Sequence, residues 1–460
     1  MTISLRPYQV HAIGELRAAF AAGKKSPLLV SPTGSGKTTI FSFVTAGAAR
    51  KGNRVMILAH RAELIDQISG ALDAESVPHG FVAAGYPKSK APVLVASVQT
   101  LIRRVDAVPA PDLIVTDEGH HATATNTYGQ IFKAYPNARR LGVTATPCRL
   151  SGEALGDVYD DLVLGPSVQE LTDAGYLARA RIFAPPTVST DGLHIRAGEF
   201  VHAEVKELMD KPSVTGDAIS HYRQHADNLP AVCFCHSIEH SKAMAQAFRD
   251  AGYMAAHIDG ATSRDIRRSM IADFRTQRLR ILCSVDVVSE GFDVPGIHCG
   301  ILLRPTASES LYLQQVGRCL RPAPGKEYAI LLDHVGSTLR HGLPTDDHEW
   351  SLSGTQKSHR KQRDKDDISV RVCPKCFAAG KSGPPACWQC GHVFEVKPRK
   401  ITARDGELLE LTPEMMEKRR ARQSVGRAKT REELMEIAKA RNYSPRWVDH
   451  ILNARGQRHG

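Results

Sequence analysis

The sequence predicts an α/β protein: two parallel sheets in tandem, followed by a small Cys-rich module and a helical tail. Three observations carry this. Short β-branched runs recur through the first 350 residues, each followed by a turn and a helix-like stretch. A run that is apolar at every position marks a strand buried on both faces, as in parallel sheets. The series breaks once, near 178–212, around Pro185-Pro186 and Asp210-Lys211-Pro212, and then resumes. Finally, four cysteines cluster beyond residue 372 in two closely spaced pairs.

The expected strands of the first sheet are 26–30, 54–59, 92–96, 112–116 and 140–143. Those of the second are 231–234, 280–285, 300–303 and 328–332. The domain plan that follows is 1–180, a connection over 181–212, a second domain over 213–345, a polar linker over 346–372, the Cys module over 373–396 and a basic helical tail over 397–460. The segment 343–350, Leu-Pro-Thr-Asp-Asp-His-Glu-Trp, is distinctive but has no evident physical role.

Composition sets limits on function. A chain of 460 residues is too long for one ordinary domain. With 42% hydrophobic and 24% charged residues it reads as a folded globular chain, and with 6% aromatics it does not suggest a large aromatic ligand core. No stretch approaches the roughly 18 apolar residues of a membrane span. The first residues lack the apolar run of a signal peptide, so a cytoplasmic protein is expected. Cysteines in that setting are not a disulfide framework. Cys148, Cys233, Cys235, Cys283, Cys299 and Cys319 are scattered in apolar surroundings and are expected as small buried hydrophobes.

The net charge is +11, and it is unevenly placed. Residues 1–350 balance 36 basic against 36 acidic side chains, whereas 397–460 hold 16 against 9. A basic excess of this kind predicts an acidic partner, most often nucleic acid.

The strongest motif is Ser31-Pro32-Thr33-Gly34-Ser35-Gly36-Lys37-Thr38-Thr39, set between a strand and a helix. Glycines let backbone N–H groups curl around phosphate oxygens, Lys37 brings charge to the β/γ phosphates, and the Thr38 hydroxyl can ligate Mg²⁺. Its first position is Ser31 where the usual pattern has Gly. About 80 residues later a buried strand ends in Asp117-Glu118. Asp117 is suited to hold Mg²⁺ and Glu118 to act as general base on the attacking water.

Asp117-Glu118-Gly119-His120 resembles the DEAD/DEAH box of superfamily 2 helicases, and further motifs of that family follow in order across residues 5–335. The resemblance implies two RecA-like domains. It makes Arg6 and Gln9 adenine-site residues, with Gln9 reading the base edge. It assigns nucleic-acid contacts to His60, Arg61, Ser97, Gln99 and Thr100, and in the second domain to His236 and Ser237. Thr144-Ala145-Thr146 looks like the motif coupling ATP to nucleic acid. Gly291 and Asp293 look like the Gly-x-Asp segment, with Asp293 facing the ribose. Gln314, Arg318 and Arg321 match Gln-x-x-Gly-Arg-x-x-Arg, whose arginines reach the γ-phosphate. The departures are Ser31 and Gly119, the latter in a place usually held by Ala or another small residue.

Cys373-x₂-Cys376-x₁₀-Cys387-x₂-Cys390 pairs thiolates on two knuckles and suits tetrahedral Zn²⁺, with Gly391 favouring the second turn and His392 a bystander. In the tail, 417–429 is densely cationic. Thr430 and Glu433 form a capping box for a helix bearing Leu434, Ile437 and Ala438 on one face, and Ser444-Pro445 starts a second. This tail is expected to meet DNA phosphates or dock a protein partner.

The zinc module after the core resembles RadD-like and phage DEAD/DEAH-box helicases. The resulting expectation is an ATP-dependent DNA helicase or translocase on single-stranded or branched DNA, serving repair, recombination or phage replication, with ATP, Mg²⁺ and Zn²⁺. An RNA helicase and an ATPase that remodels protein–DNA complexes without unwinding are the alternatives. The type III restriction motor has a similar core but ranks lower, because no nuclease constellation is evident.

Overall fold

A computed structural model describes residues 4–149, 153–184, 193–196, 198–209, 212–285, 294, 296–353, 370–394, 431–440 and 448. The chain divides into two units, Met1–Phe394 and Glu395–Gly460.

The first sheet holds β1 (Pro27–Val30), β2 (Val55–Ala59), β3 (Gly80–Val82), β4 (Val93–Ser97), β5 (Leu113–Thr116), β6 (Arg139–Thr144) and β7 (Asp161–Leu164). They are ordered 3-4-2-5-6-1-7, and every pairing is parallel. All residues of β1, β2 and β5 are buried, which is why these strands read as continuous apolar runs. One core lies on each face, the first around Leu29, Phe41 and Ile57, the second around Leu28, Met56 and Tyr159.

The second sheet begins with β8 (Arg179–Phe183). A two-residue hairpin, β9 (Ile195–Arg196) with β10 (Glu199–Phe200), stands apart. The sheet continues with β11 (Ala231–Cys235), β12 (Ala255–Ile258), β13 (Ile281–Ser284), β14 (Cys299–Leu303), β15 (Tyr328–Asp333), β16 (Val370–Val372) and β17 (Ala378–Lys381). Its order is 12-13-11-14-15-8-17-16. The pairings are parallel from β12 through β8 and antiparallel beyond it.

Two features of this sheet refine the plan drawn from the sequence. β8 ends the stretch 1–180 in sequence but pairs with β15 of the second sheet. The Cys module is no separate bead either. Its hairpin β16–β17 extends the second sheet, with Ala378 opposite Phe183 and Ala379 opposite Ile182.

The segment 343–350, for which the sequence offered no role, belongs to a strap that runs on to Leu352. Leu343 packs on the second core, while Trp350 and Leu352 pack on the first domain. The Leu352 carbonyl accepts from the N–H groups of Leu155 (2.9 Å) and Gly156 (3.0 Å). Trp350 stacks on His348 with ring centroids 4.9 Å apart. Residues 354–369, the remainder of the expected linker up to β16, lie outside the described residues.

In the second unit the described helix is Arg431–Ala440, with Leu434 and Ala438 buried. The cationic run 417–429, Thr430 and Ser444-Pro445 lie outside the described residues. No described helix is long and apolar enough to cross a membrane.

Candidate functional site: an interdomain cleft at the strand ends

The order β5-β6-β1 sets three carboxyl ends side by side, with Thr116 opposite Gly142 and Val30 opposite Thr144. That edge is where open parallel sheets place their ligands. The phosphate loop leaves β1 there, and α2 (Lys37–Arg50) begins directly after it. Gly34 and Gly36 have φ of 90° and 81°, which only glycine adopts without strain. Ser31, the departure from the usual glycine, is buried and its hydroxyl donates to the Ser35 hydroxyl at 2.7 Å, bracing the loop from inside. Lys37 Nζ donates to the carbonyls of Ser31 (3.1 Å) and Pro32 (3.3 Å), so the ammonium is held at the loop mouth. Burial pushes its pKa down, opposed by the carboxylates of Glu118 and Asp117. Thr38 and Thr39 are half-buried in the first turn of α2, and Thr33 is half-buried in the loop.

Asp117 is buried at the end of β5. Burial, and then the Glu118 carboxylate beside it, push it up to about 7. Two carboxyl groups crowded in a dry site are a donor set that a divalent cation relieves, so the Asp117–Glu118 pair fits Mg²⁺. Glu118 sits at φ 49°, a left-handed conformation that costs a non-glycine residue about 1 kcal/mol. Gly119, the second departure, is required by packing. A Cβ there would lie 2.7 Å from the Tyr159 hydroxyl, which donates to the Gly119 carbonyl at 2.9 Å.

A polar chain leads away from Glu118. Its carboxylate lies 3.5 Å from His120 Nδ1, which meets the Thr144 hydroxyl at 2.9 Å. Thr144 Oγ1 donates to the Thr146 carbonyl, and the Thr146 hydroxyl makes a short contact with the Ser310 hydroxyl in the second domain. The cleft is closed. A Cβ on Gly317 would meet Thr33 at 2.6 Å, and one on Gly34 would meet Arg321 Cγ at 3.3 Å. Arg318 and Arg321 both lie close enough to lower the Lys37 pKa. Gln314 and Arg318 are buried on the helix Glu309–Cys319.

At the other end of the loop, α1 (Pro7–Ala21) starts with a capping box in which Gln9 Oε1 accepts from Arg6 N at 2.9 Å. Gln9 Nε2 donates to the Ser35 carbonyl at 3.2 Å and Tyr8 OH to the same carbonyl at 2.7 Å. Arg6 lies 4.7 Å above the Tyr176 ring, itself edge-on to Tyr8. Sequence reasoning missed Tyr176, since nothing local distinguishes it. It did not name Lys326 either, which is bonded to the end of the arginine helix.

The residues expected to grip nucleic acid divide. Ser97 Oγ donates to Gln99 Oε1 at 2.9 Å, and Gln99 Nε2 to the His60 carbonyl at 3.3 Å, so Ser97, Gln99 and His60 form one line at the strand ends, with Arg61 and Thr100 next in sequence. His236 and Ser237 are buried, and Ser237 caps the helix Ile238–Asp250 by accepting from His240 N. Gly291 and Asp293 lie outside the described residues.

The Sγ atoms of Cys373, Cys376, Cys387 and Cys390 all lie within 4.8 Å of one another. The residues after each pair, Phe377 and Gly391, have φ of 57° and 69°. Burial opposes ionisation of Cys387, but the N–H groups of Cys390 and Gln389 aimed at its sulfur pull it down to about 7. Burial pushes Cys376 the other way, up to about 12, so it is the convergence of four sulfurs that fits a tetrahedral soft-ligand cation.

Comparison with known proteins decides the family. The family described as "Type III restriction enzyme, res subunit" matches residues 2–149, and "Helicase conserved C-terminal domain" matches residues 211–323. A 51.5 kDa protein of a Lactococcus phage (isolate 7-9) is 35% identical over 398 residues, 86% of this chain and 84% of that one. The chain belongs to the superfamily 2 helicases. As such it is an ATP-hydrolysing nucleic-acid helicase or translocase. The "Putative ATP-dependent helicase IRC3" of Saccharomyces cerevisiae is 30% identical over 359 residues, 73% of this chain, which spans about half (52%) of that relative. A fragment of a putative HsdR subunit of a type I restriction enzyme from Vibrio vulnificus YJ016 shares the fold, with a TM-score of 0.58 at 23% identity over 74% of this chain and 66% of that one. The helicase fold accounts for the two parallel sheets and the cleft between them.

Proposed function

We propose that this superfamily 2 helicase moves on or unwinds DNA, in repair, recombination or phage replication. The observation that carries the reading is the meeting of Lys37, Asp117 and Glu118 with Arg318 and Arg321 across one cleft. Lys37 and the loop N–H groups bind the phosphates, and Arg6, Gln9, Tyr8 and Tyr176 lie at the adenine end. Thr38 and Asp117 would hold Mg²⁺, which would supply charge neutralisation at the phosphates. Glu118 takes a proton from the attacking water, and Arg318 and Arg321 steady the γ-phosphate from the second domain. Once that phosphate leaves, the charge bridging the halves is gone and the cleft can open. The line Ser97–Gln99–His60 then moves relative to the second domain's strand contacts. Cys373, Cys376, Cys387 and Cys390 would hold Zn²⁺ as a structural ion.

The charge distribution and the similarity to restriction motor subunits favour DNA over RNA. ATPase rates measured with single-stranded DNA, duplex, forked DNA and RNA, alongside strand displacement, test the reading. Single-stranded or forked DNA is expected to stimulate most. Stimulation by RNA alone would replace it with an RNA helicase, and stimulation by DNA without displacement with a remodelling ATPase.

The basic tail yields a separate expectation. Deleting 397–460 should weaken DNA binding and flatten its salt dependence, because every phosphate the tail no longer neutralises takes about 0.9 off the slope of log K against log salt. The intrinsic ATPase should persist. An unchanged slope would make the tail a merely solvated segment.

A further inference from the structure

We propose that Lys326 is a positioning residue for ATP hydrolysis: its ammonium group fixes the end of the arginine-bearing helix so that Arg318 and Arg321 face the phosphate loop. The inference rests on the roles proposed for those two arginines.

The helix Glu309–Cys319 ends just where its arginines must be accurately placed, and Arg321 follows it by two residues. The last carbonyls of a helix have no partner within it. Here three successive carbonyls at and just beyond the helix end, those of Cys319, Leu320 and Arg321, are taken. The Leu320 carbonyl accepts from Ala178 N at 2.8 Å, at the entry to β8. Lys326 Nζ takes the other two, donating to the Cys319 carbonyl and, at 2.7 Å, to the Arg321 carbonyl. Its third bond, 2.6 Å, goes to the Ile297 carbonyl just before β14. One ammonium thus ties the helix end to the sheet and uses every donor it has. A cation among C-terminal carbonyls is also favoured by the helix dipole. Gly325, at φ 71°, lets the chain double back to bring Lys326 there.

Arg321 transmits this placement. Its Cγ lies so close to Gly34 that a Cβ on that glycine would be 3.3 Å away. Motion at the Arg321 carbonyl therefore displaces the guanidinium at the loop. The three bonds of Lys326 run to Ile297, Cys319 and Arg321, none of them in the phosphate loop, so it acts through the arginines.

The groups facing Lys326 are the Cys299 and Cys319 thiols, Arg321 and His298. Burial pushes both thiols up, Cys319 to about 12, and pushes His298 down, so all three are neutral in mild alkali. Lys326 is the group that changes: burial pushes it down to about 8, and above that it loses its charge. Stability moves the opposite way. Between about 8 and 10.5 the unfolded chain holds the extra proton, so this group's contribution to the unfolding free energy rises with pH and falls away as pH drops through 8.

DNA-stimulated ATPase of the full chain tests this for wild type, Lys326→Met, Lys326→Arg and Arg321→Ala. Lys326→Met is expected to lower kcat by about 10–100-fold with KM for ATP nearly unchanged, as a small misplacement of a charged group does. Lys326→Arg should recover most of the rate and lose the alkaline fall. In wild type, kcat should fall above pH about 8 while thermal stability does not. Wild-type turnover in Lys326→Met overturns the proposal, as does a loss that matches the loss of folded protein. Should that variant not fold, the wild-type profile decides, and a flat kcat through the same range overturns it. Arg321→Ala separates the two readings: if it retains full turnover the arginine assignment itself fails, and if it is inactive while Lys326→Met is active only the positioning role of Lys326 fails.

Discussion

Glu118→Gln is expected to reduce DNA-stimulated ATP turnover by about 10²–10⁴-fold, the range for removing a positioned general base. ATP affinity should stay within a few-fold, because the hydrogen bonds that hold Lys37 and the Tyr8–Gln9 contacts to Ser35 do not run through the Glu118 carboxylate. The amide keeps the size of the side chain, so the 3.5 Å approach to His120 and the chain through Thr144 and Thr146 to Ser310 are preserved in shape. The substitution also removes the like charge next to Asp117, whose pKa is held up by burial and then by Glu118. The remaining carboxylate should then bind its cation without that competition. The variant is therefore expected to trap the closed, ATP-bound cleft rather than to lose it. Single-turnover hydrolysis beside nucleotide binding measures both. Turnover near wild type would remove Glu118 from the role of base, and a parallel loss of ATP binding would make it a structural residue of the loop.

How much of this was legible in the sequence depends on distance along the chain. β1, β2 and β5 are buried at every residue, so their apolar runs show directly. β12, Ala255-Ala256-His257-Ile258, has little β-branched character and is defined by pairing with β13. β7 is an edge strand with Leu164 exposed, and its alternation is too short to read. β8 lies in the stretch taken for a boundary, and only β15 and β17 on either side make it a strand.

The site divides in the same way. The loop and the Asp117-Glu118 pair are local patterns imposed by phosphate and metal chemistry, so spacing reveals them. The reasons for their departures are not local. Ser31 fits because of Ser35 and Gly119 because of Tyr159, forty residues on. Tyr176, Ser310 and the strap of Trp350 and Leu352 act by contacts across the cleft, and no periodicity in one segment encodes a partner in another.

The largest structural effect is expected at the cysteines, where the module's place in the sheet changes what metal loss should do. A free-standing module would unfold alone. Here Cys373 and Cys387 are buried in the second core, and the hairpin β16–β17, which carries the first knuckle between its strands, covers the edge of β8 through β17. β8 in turn is entered through Ala178, which holds the Leu320 carbonyl beside Arg321. Stripping the proposed zinc ion, or changing Cys376→Ser, should therefore release β17 from β8 and loosen the end of the arginine helix. A loss of about 3 kcal/mol, small beside the binding energy of a structural zinc ion, would lower Tm by about 6–12 °C in a domain of this size. Zinc analysis should find one ion per chain, and hydrogen exchange should show Arg179–Phe183 losing protection with the module. Lys326 predicts the functional correlate: kcat should fall in the stripped protein before ATP affinity does. Purified protein without zinc, or Cys376→Ser with unchanged Tm and unchanged protection of β8, would separate the cysteines from the stability of the motor.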